Sequence, residues 1–225
     1  SLQSCQKSFA VDACAPLNVD QLAVRQKFAA VDHPNIKTKS DLEKMLSKYF
    51  TKEIYENEAI IDFTNGALTK FLIKLSAEVE QSDEQIIGSY FHVLNDLERI
   101  GDHAENFHEI GIEMLERNIS FSDRGRIDIN NMRDTVVKMF DISKDAFENS
   151  NRDKLGALTE LEQRVDDMKR DLIADHFNRL AEGNCSIDVS PYYSSVVVGL
   201  ERVADHLVNI GYSIVNPTGS QKIEA

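Results

Sequence analysis

Apolar residues recur every three to four positions through five stretches of the chain, at residues 40–80, 82–118, 127–149, 153–182 and 189–215. That period predicts helices. Around residues 90–111, Val93, Leu94, Leu97, Ile100, Ala104 and Phe107 fall on one stripe when successive residues turn by about 100°. Around residues 192–214, Val196, Leu200, Val203, Ala204, Leu207, Ile210 and Ile214 do the same. Each stripe needs a partner, and short connections make antiparallel neighbours, so an all-α bundle is the expected architecture. Punctuation agrees, because four prolines and ten glycines leave long stretches without a helix breaker. Ser40 with Glu43 has capping-box spacing, and Gly183-Asn184 suits a helix stop. The polar stretch 120–126 reads as a linker between a first unit, 1–119, and a second, 127–225. Residues 1–39 do not read as a clean helix; Pro16 and Pro34 bracket a short one at 19–31, capped by Asn18.

The two striped helices are copies of each other. Leu97-Glu98-Arg99-Ile100-Gly101-Asp102-His103-Ala104-Glu105-Asn106 aligns with Leu200-Glu201-Arg202-Val203-Ala204-Asp205-His206-Leu207-Val208-Asn209 at an offset of 103 residues. Glu58 and Asp62 recur as Glu162 and Asp166 at an offset of 104. The chain is therefore two copies of a roughly 100-residue unit.

Each copy carries two Glu-x-x-x-Asp pairs: Glu58/Asp62 and Glu98/Asp102 in the first, Glu162/Asp166 and Glu201/Asp205 in the second. Chance placement of 18 Glu and 20 Asp gives about 1.6 such pairs, at the i,i+4 spacing that shares a helix face. The four found fall two to a copy at matching separations. Two antiparallel helices would bring both pairs of a copy to one level, setting four carboxylates against each other. Such a group raises its own pKa values unless a cation sits among them, and Ca²⁺, Mg²⁺, Mn²⁺ and iron all accept carboxylate oxygens. On the wheel the pairs lie off the apolar stripes, which places these groups on the outer face of a bundle. The competing reading is an ordinary solvated acidic surface. His103 and His206 follow the motif Asp directly and sit about 100° round the helix from it, outside the ligand set. Arg99 and Arg202 suit pairing with neighbouring acids, while Asn106 and Asn209 continue each acidic face. The Asp167/Asp171/Asp175 stripe has no counterpart in the first copy and reads as solvated.

Composition narrows the function further. With 38 Asp+Glu against 25 Lys+Arg the net charge is −13, which argues against nucleic-acid or anionic-membrane partners and favours cations or a basic protein surface. Cys5, Cys14 and Cys185 form no paired spacing, so neither a disulfide framework nor a thiolate zinc site is expected; Cys185 suits turn chemistry or packing. The run Val196-Val197-Val198 is far short of the ~20 apolar residues of a membrane span. Residues 1–15 lack the pattern of a signal peptide, and a cytoplasmic location is expected. No phosphate-cradling glycine loop or nucleophile signature proposes a reaction. Dimers are the commonest soluble assemblies, which makes a homodimer the default expectation.

The segment from Asn95 to Asn106, with Leu200-Glu201-Arg202-Val203-Ala204-Asp205-His206, resembles the paired signature of the PhoU family. The likeness runs from about residue 40 to 215 and includes all four Glu/Asp pairs. Residues 70–76 and 175–186 look like the PhoU domain that follows the membrane domain of bacterial Na⁺/phosphate cotransporters, which would account for a chain beginning at Ser1 rather than Met. The resemblance implies two tandem three-helix bundles and a regulatory, non-enzymatic role in phosphate uptake. Its partner would be a phosphate transporter membrane domain, in cis or in trans. It also implies metal clusters, with iron first and Zn, Mn, Mg, Ca or Ni as alternatives. Carried across, the ligands are Glu58, Asp62, Glu98 and Asp102 in one site and Glu162, Asp166, Glu201 and Asp205 in the other. Residues 1–39 depart from a clean first helix of bundle one. Within the same class the alternative is a free-standing regulator of an ATP-driven phosphate transporter and its sensor kinase. Outside it, the alternatives are a carboxylate-bridged metalloenzyme or metal store, and a scaffold whose acid only solubilises.

Overall fold

A computed structural model of the chain describes residues 39–80 and 84–215, with the side chains of 39–47 and 49 left aside. The helix expected at 19–31 and the Ser40/Glu43 cap fall outside the described residues and side chains. Five α-helices carry the described fold: α1 (Lys39–Ser76), α2 (Glu84–Glu116), α3 (Asp123–Asn149), α4 (Leu155–Ala181) and α5 (Ser190–Tyr212). Short 3₁₀ turns at Arg152–Lys154 and Ile187–Val189 lead into α4 and α5.

The helix ends follow from local chemistry. α2 stops where Asn118 adopts φ 51°, with Asn118 N–H donating to the Leu115 carbonyl and Ile119 N–H to the Met114 carbonyl. This double bond back into the last turn satisfies two carbonyls that the helix leaves open. α4 ends the same way on Gly183, φ 73°, with Gly183 N–H on Leu180 and Asn184 N–H on Arg179. α3 starts four residues earlier than its apolar period, because Ser122 Oγ accepts from Gly125 N–H and caps the helix at Asp123. The expected linker at 120–126 is therefore shorter, and its second half is the first turn of α3.

α3, α4 and α5 pack pairwise into a three-helix bundle. Its core holds Met132, Val136 and Met139 of α3, Leu158 and Val165 of α4, and Val196, Leu200, Val203 and Leu207 of α5, all essentially inaccessible. α5 also packs on α2, and α1 packs on α2. The α2 stripe turns Val93, Ile100, Ala104 and Phe107 inward, with Leu94 and Leu97 half-buried. α2 and α5 run antiparallel along this seam: Asp96 meets His206, Phe107 meets Gly199, and Arg117 Nη1 donates to the Tyr192 hydroxyl. A methyl at Gly199 would stand 2.5 Å from Phe107 Cε1, so the missing side chain is what lets the Phe107 ring in. α1 is different in kind. Leu72 is buried, but Ile60, Phe63, Leu68, Phe71 and Ile73 are exposed, and α2 is the one described helix that α1 substantially contacts. Among the described residues, no helix is long and apolar enough to cross a membrane.

Candidate metal centres

Each Glu-x-x-x-Asp pair occupies one helix face, and helix packing sets the pairs of a copy against each other. In the second copy, α4 brings Glu162 and Asp166, and α5 brings Glu201 and Asp205. Asp166, Glu201 and Asp205 each offer a carboxylate oxygen, all within 4.8 Å of one another. Glu162 is half-buried and lies outside that trio, with interactions of its own. The Glu201 side chain is 13% exposed. Its Oε1 takes the Lys169 ammonium at 2.9 Å, while Oε2 is buried without a hydrogen-bond donor among the described residues. Arg202 Nε stands 3.9 Å from that oxygen, a charge contact too long for a hydrogen bond. Burial, then Glu201 and Asp166, push the Asp205 carboxyl above its ordinary range, against the opposing pull of Arg202 and His206. The outer-face expectation therefore needs correction at Glu201, whose carboxylate is drawn between α4 and α5.

In the first copy, α1 brings Glu58 and Asp62, and α2 brings Glu98 and Asp102. The Glu58 carboxylate lies against the α2 backbone: a Cβ on Gly101 would stand 2.8 Å from Oε2. Burial lifts the Glu58 pKa from 4.5 to about 7, helped in order by Asp62, Asp102, Glu105 and Glu98. Glu105 shares this field, and its own pKa is raised by burial and then by Glu109, Asp102 and Asp62. It follows Glu98 by seven residues on the same face, a spacing that could have placed it in the group. Arg99 runs along the exposed edge, 3.2 Å from Asp102 and 3.8 Å from Glu98.

This field has a direct consequence for the metal-free protein. Below pH 4.5 Glu58 holds its proton in both folded and unfolded chains; between 4.5 and about 7 the folded chain alone keeps it. Stability contributed by that proton is present below the lower value and lost as pH rises through the upper one. Glu58 is partly exposed, so solvent screening reduces the effect to roughly 1 kcal/mol, or about 2–4 °C. The melting temperature of metal-stripped protein should fall by that much more between pH 4.5 and 7.5 than that of Glu58→Gln. Identical pH profiles would contradict this account.

The histidines belong to the seam. His206 Nδ1 is 2.7 Å from Asp96 Oδ1, which also accepts from Asn209 Nδ2 at 3.2 Å. His103 and His206 face each other with ring centroids 6.0 Å apart. Burial, then His206, lower the His103 pKa. Neither histidine belongs to the Asp166/Glu201/Asp205 trio. Cys185 packs at the far end of the second bundle, its Sγ 3.8 Å from His176 Nδ1.

Three carboxylates around one point, one of them with a buried oxygen that no donor satisfies, form a hard-oxygen donor set that fits a cation. Comparison with known proteins points the same way as the fold. The family model described as "PhoU domain" matches residues 42–110 and 129–214, one block in each copy. The chain is 27% identical over 199 residues to the phosphate-specific transport system accessory protein PhoU homolog 1 of Thermotoga maritima, covering 79% of this chain and 84% of that protein. Two crystal structures share the fold. PhoU from Pseudomonas aeruginosa superposes with a TM-score of 0.73 at 18% identity, covering 96% of this chain and 90% of that one. The phosphate transport system regulatory protein PhoU from Streptococcus pneumoniae gives 0.66 at 19%, covering 96% and 94%.

Proposed function

The chain belongs to the PhoU family, and we propose that it is a regulatory accessory of phosphate uptake whose paired carboxylate groups hold metal ions. The regulatory role is supported by the family match in both copies and by the accessory protein of similar sequence. The metal reading is carried by the Asp166/Glu201/Asp205 trio with its unsatisfied buried oxygen. Asp166, Glu201 and Asp205, with Glu162 one turn away on α4, would hold ions in the second group. Glu58, Asp62, Glu98 and Asp102 would do so in the first. A bound cation supplies positive charge to clustered carboxylates; iron, Mn, Zn, Mg, Ca and Ni all take such ligands. Nothing in the arrangement requires a reaction, so the role is one of binding and signalling from the cytoplasmic side.

The partner we infer is the membrane domain of a phosphate transporter. Residues 70–76 and 175–186 favour a Na⁺/phosphate cotransporter. The extent of the likeness to the T. maritima protein, 84% of whose length is matched, favours a partner on a separate chain. About eight apolar spans of ~20 residues in the same reading frame would decide for attachment in cis.

Elemental analysis of purified protein tests the metal reading. Glu201→Ala/Asp205→Ala should lose the second group's metal and keep the first group's. Unchanged metal content would sink the assignment. The regulatory reading fails if cells lacking this chain take up phosphate as before.

A further inference from the structure

The two carboxylate groups are copies by sequence, yet their surroundings differ: Glu105, which shares the first group's field, is Val208 in the second copy, and two further positions change. Lys169 on α4 reaches Glu201 Oε1 at 2.9 Å, three residues beyond Asp166 on the same helix. Its counterpart at the offset of 104 is Asn65 on α1, which is uncharged and accepts from Thr69 Oγ1 at 3.3 Å. Gly101, against which the Glu58 carboxylate rests, is replaced in the second copy by Ala204. Ala204 is buried, and Glu162, the counterpart of Glu58, stands outside the trio. Arg99 and Arg202 match in sequence and are both 62% exposed along the outer edge, although Arg99 reaches Asp102 at 3.2 Å while Arg202 stands 3.9 Å from Glu201.

We propose that Lys169 is a tethered cation which occupies the second carboxylate group and must be displaced by an incoming metal ion, so that the first group loads before the second. This rests on the metal reading above. An ammonium is a compact point charge on a flexible stem, suited to be pushed aside where a planar guanidinium fork is not. Its side chain is 34% exposed, which gives the head an exit to water, while Glu201 at 13% stays behind. Glu201 Oε2 is left for the metal, because the lysine satisfies Oε1 alone. Among the described residues the first group has no lysine at the Asn65 position; its counter-charge is Arg99, 62% exposed along the edge, 3.2 Å from Asp102 and 3.8 Å from Glu98.

Calorimetric titration of Mn²⁺ into metal-stripped full-length protein tests this, with wild type, Lys169→Met and Asn65→Lys compared. Wild type should show two classes of site, the weaker one abolished by Glu201→Ala/Asp205→Ala. Lys169→Met, which keeps the stem and removes the charge, should tighten the weaker class by about tenfold and leave the stronger unmoved. Asn65→Lys should weaken the stronger class. Independently, Lys169→Met in chelator should melt a few degrees lower, because Glu201 then keeps only the long Arg202 contact, and should recover more than wild type when Mn²⁺ is added. Mn²⁺ binding that Lys169→Met leaves unchanged overturns the tethered cation while the metal reading stands. Absence of Mn²⁺ binding in every variant, with no thermal recovery, overturns both.

Discussion

Asp128→Ala should lower the unfolding free energy by about 3–5 kcal/mol, measured in urea, a large share of what a domain has to lose. Asp128 lies on α3 with its side chain 4% exposed, held between Arg179 Nη1 at 3.3 Å and Arg124 Nε at 3.1 Å. The two arginines are not equal partners. Arg124 is 66% exposed and can turn to water, so Arg124→Ala should cost under about 1 kcal/mol. Arg179 is 12% exposed, its guanidinium 5.4 Å above the Tyr193 ring, with Nε and Nη2 buried and without hydrogen-bond acceptors. Removing Asp128 leaves that charge enclosed with no ion-pair partner among the described residues. The penalty therefore belongs to the charge left behind more than to the bond lost, and Asp128→Leu combined with Arg179→Met should recover most of it. A loss below 1 kcal/mol for Asp128→Ala would refute this reading.

Phe107→Ala should cost a similar 3–5 kcal/mol, because the ring is 4% exposed and sits where α2 crosses α5. Its edge fills the notch at Gly199, and its face stacks on His103 with centroids 6.4 Å apart. Gly199→Ala attacks the same contact from the other side and should cost about 1–3 kcal/mol, since the methyl meets a ring packed too tightly to retreat. In the Phe107→Ala background the same methyl enters vacated space, and its cost should vanish or change sign. Additive losses in that double-mutant cycle would show that the ring and the glycine act separately.

Those two contacts mark the boundary of what the sequence could disclose. The stripes along 90–111 and 192–214 were legible because a helix repeats every 3.6 residues and the core selects one face of it. The four Glu/Asp pairs were legible for the same reason, together with their duplication. Asp128 and Arg179 are 51 residues apart, and their meeting depends on how α3 and α4 are set against each other, which no local period encodes. Lys169 carries no sequence signal of its own; the packing of α4 on α5 places it on Glu201. The start of α3 was missed by four residues because a single hydroxyl, Ser122 Oγ, begins the helix ahead of its apolar stripe. The early burial of Glu201 was likewise invisible to a wheel, which assigns faces but not the depth of the groove between two helices.

The meeting of His103 with His206 has a consequence in terms of symmetry. They are one position in two copies of the unit, and they stand across the antiparallel α2–α5 seam from each other. Equivalent positions become neighbours where a local two-fold axis passes between copies, as at the isologous interface of a homodimer. The chain is in that sense a dimer tied end to end. In an assembled dimer every substitution appears on both sides of the axis at once. Here each half drifts alone: Asp96 grips His206 while its counterpart Gly199 yields to Phe107, and Asn65 stands opposite in role to Lys169. Fusion is what permits two unlike sites to be kept around one axis.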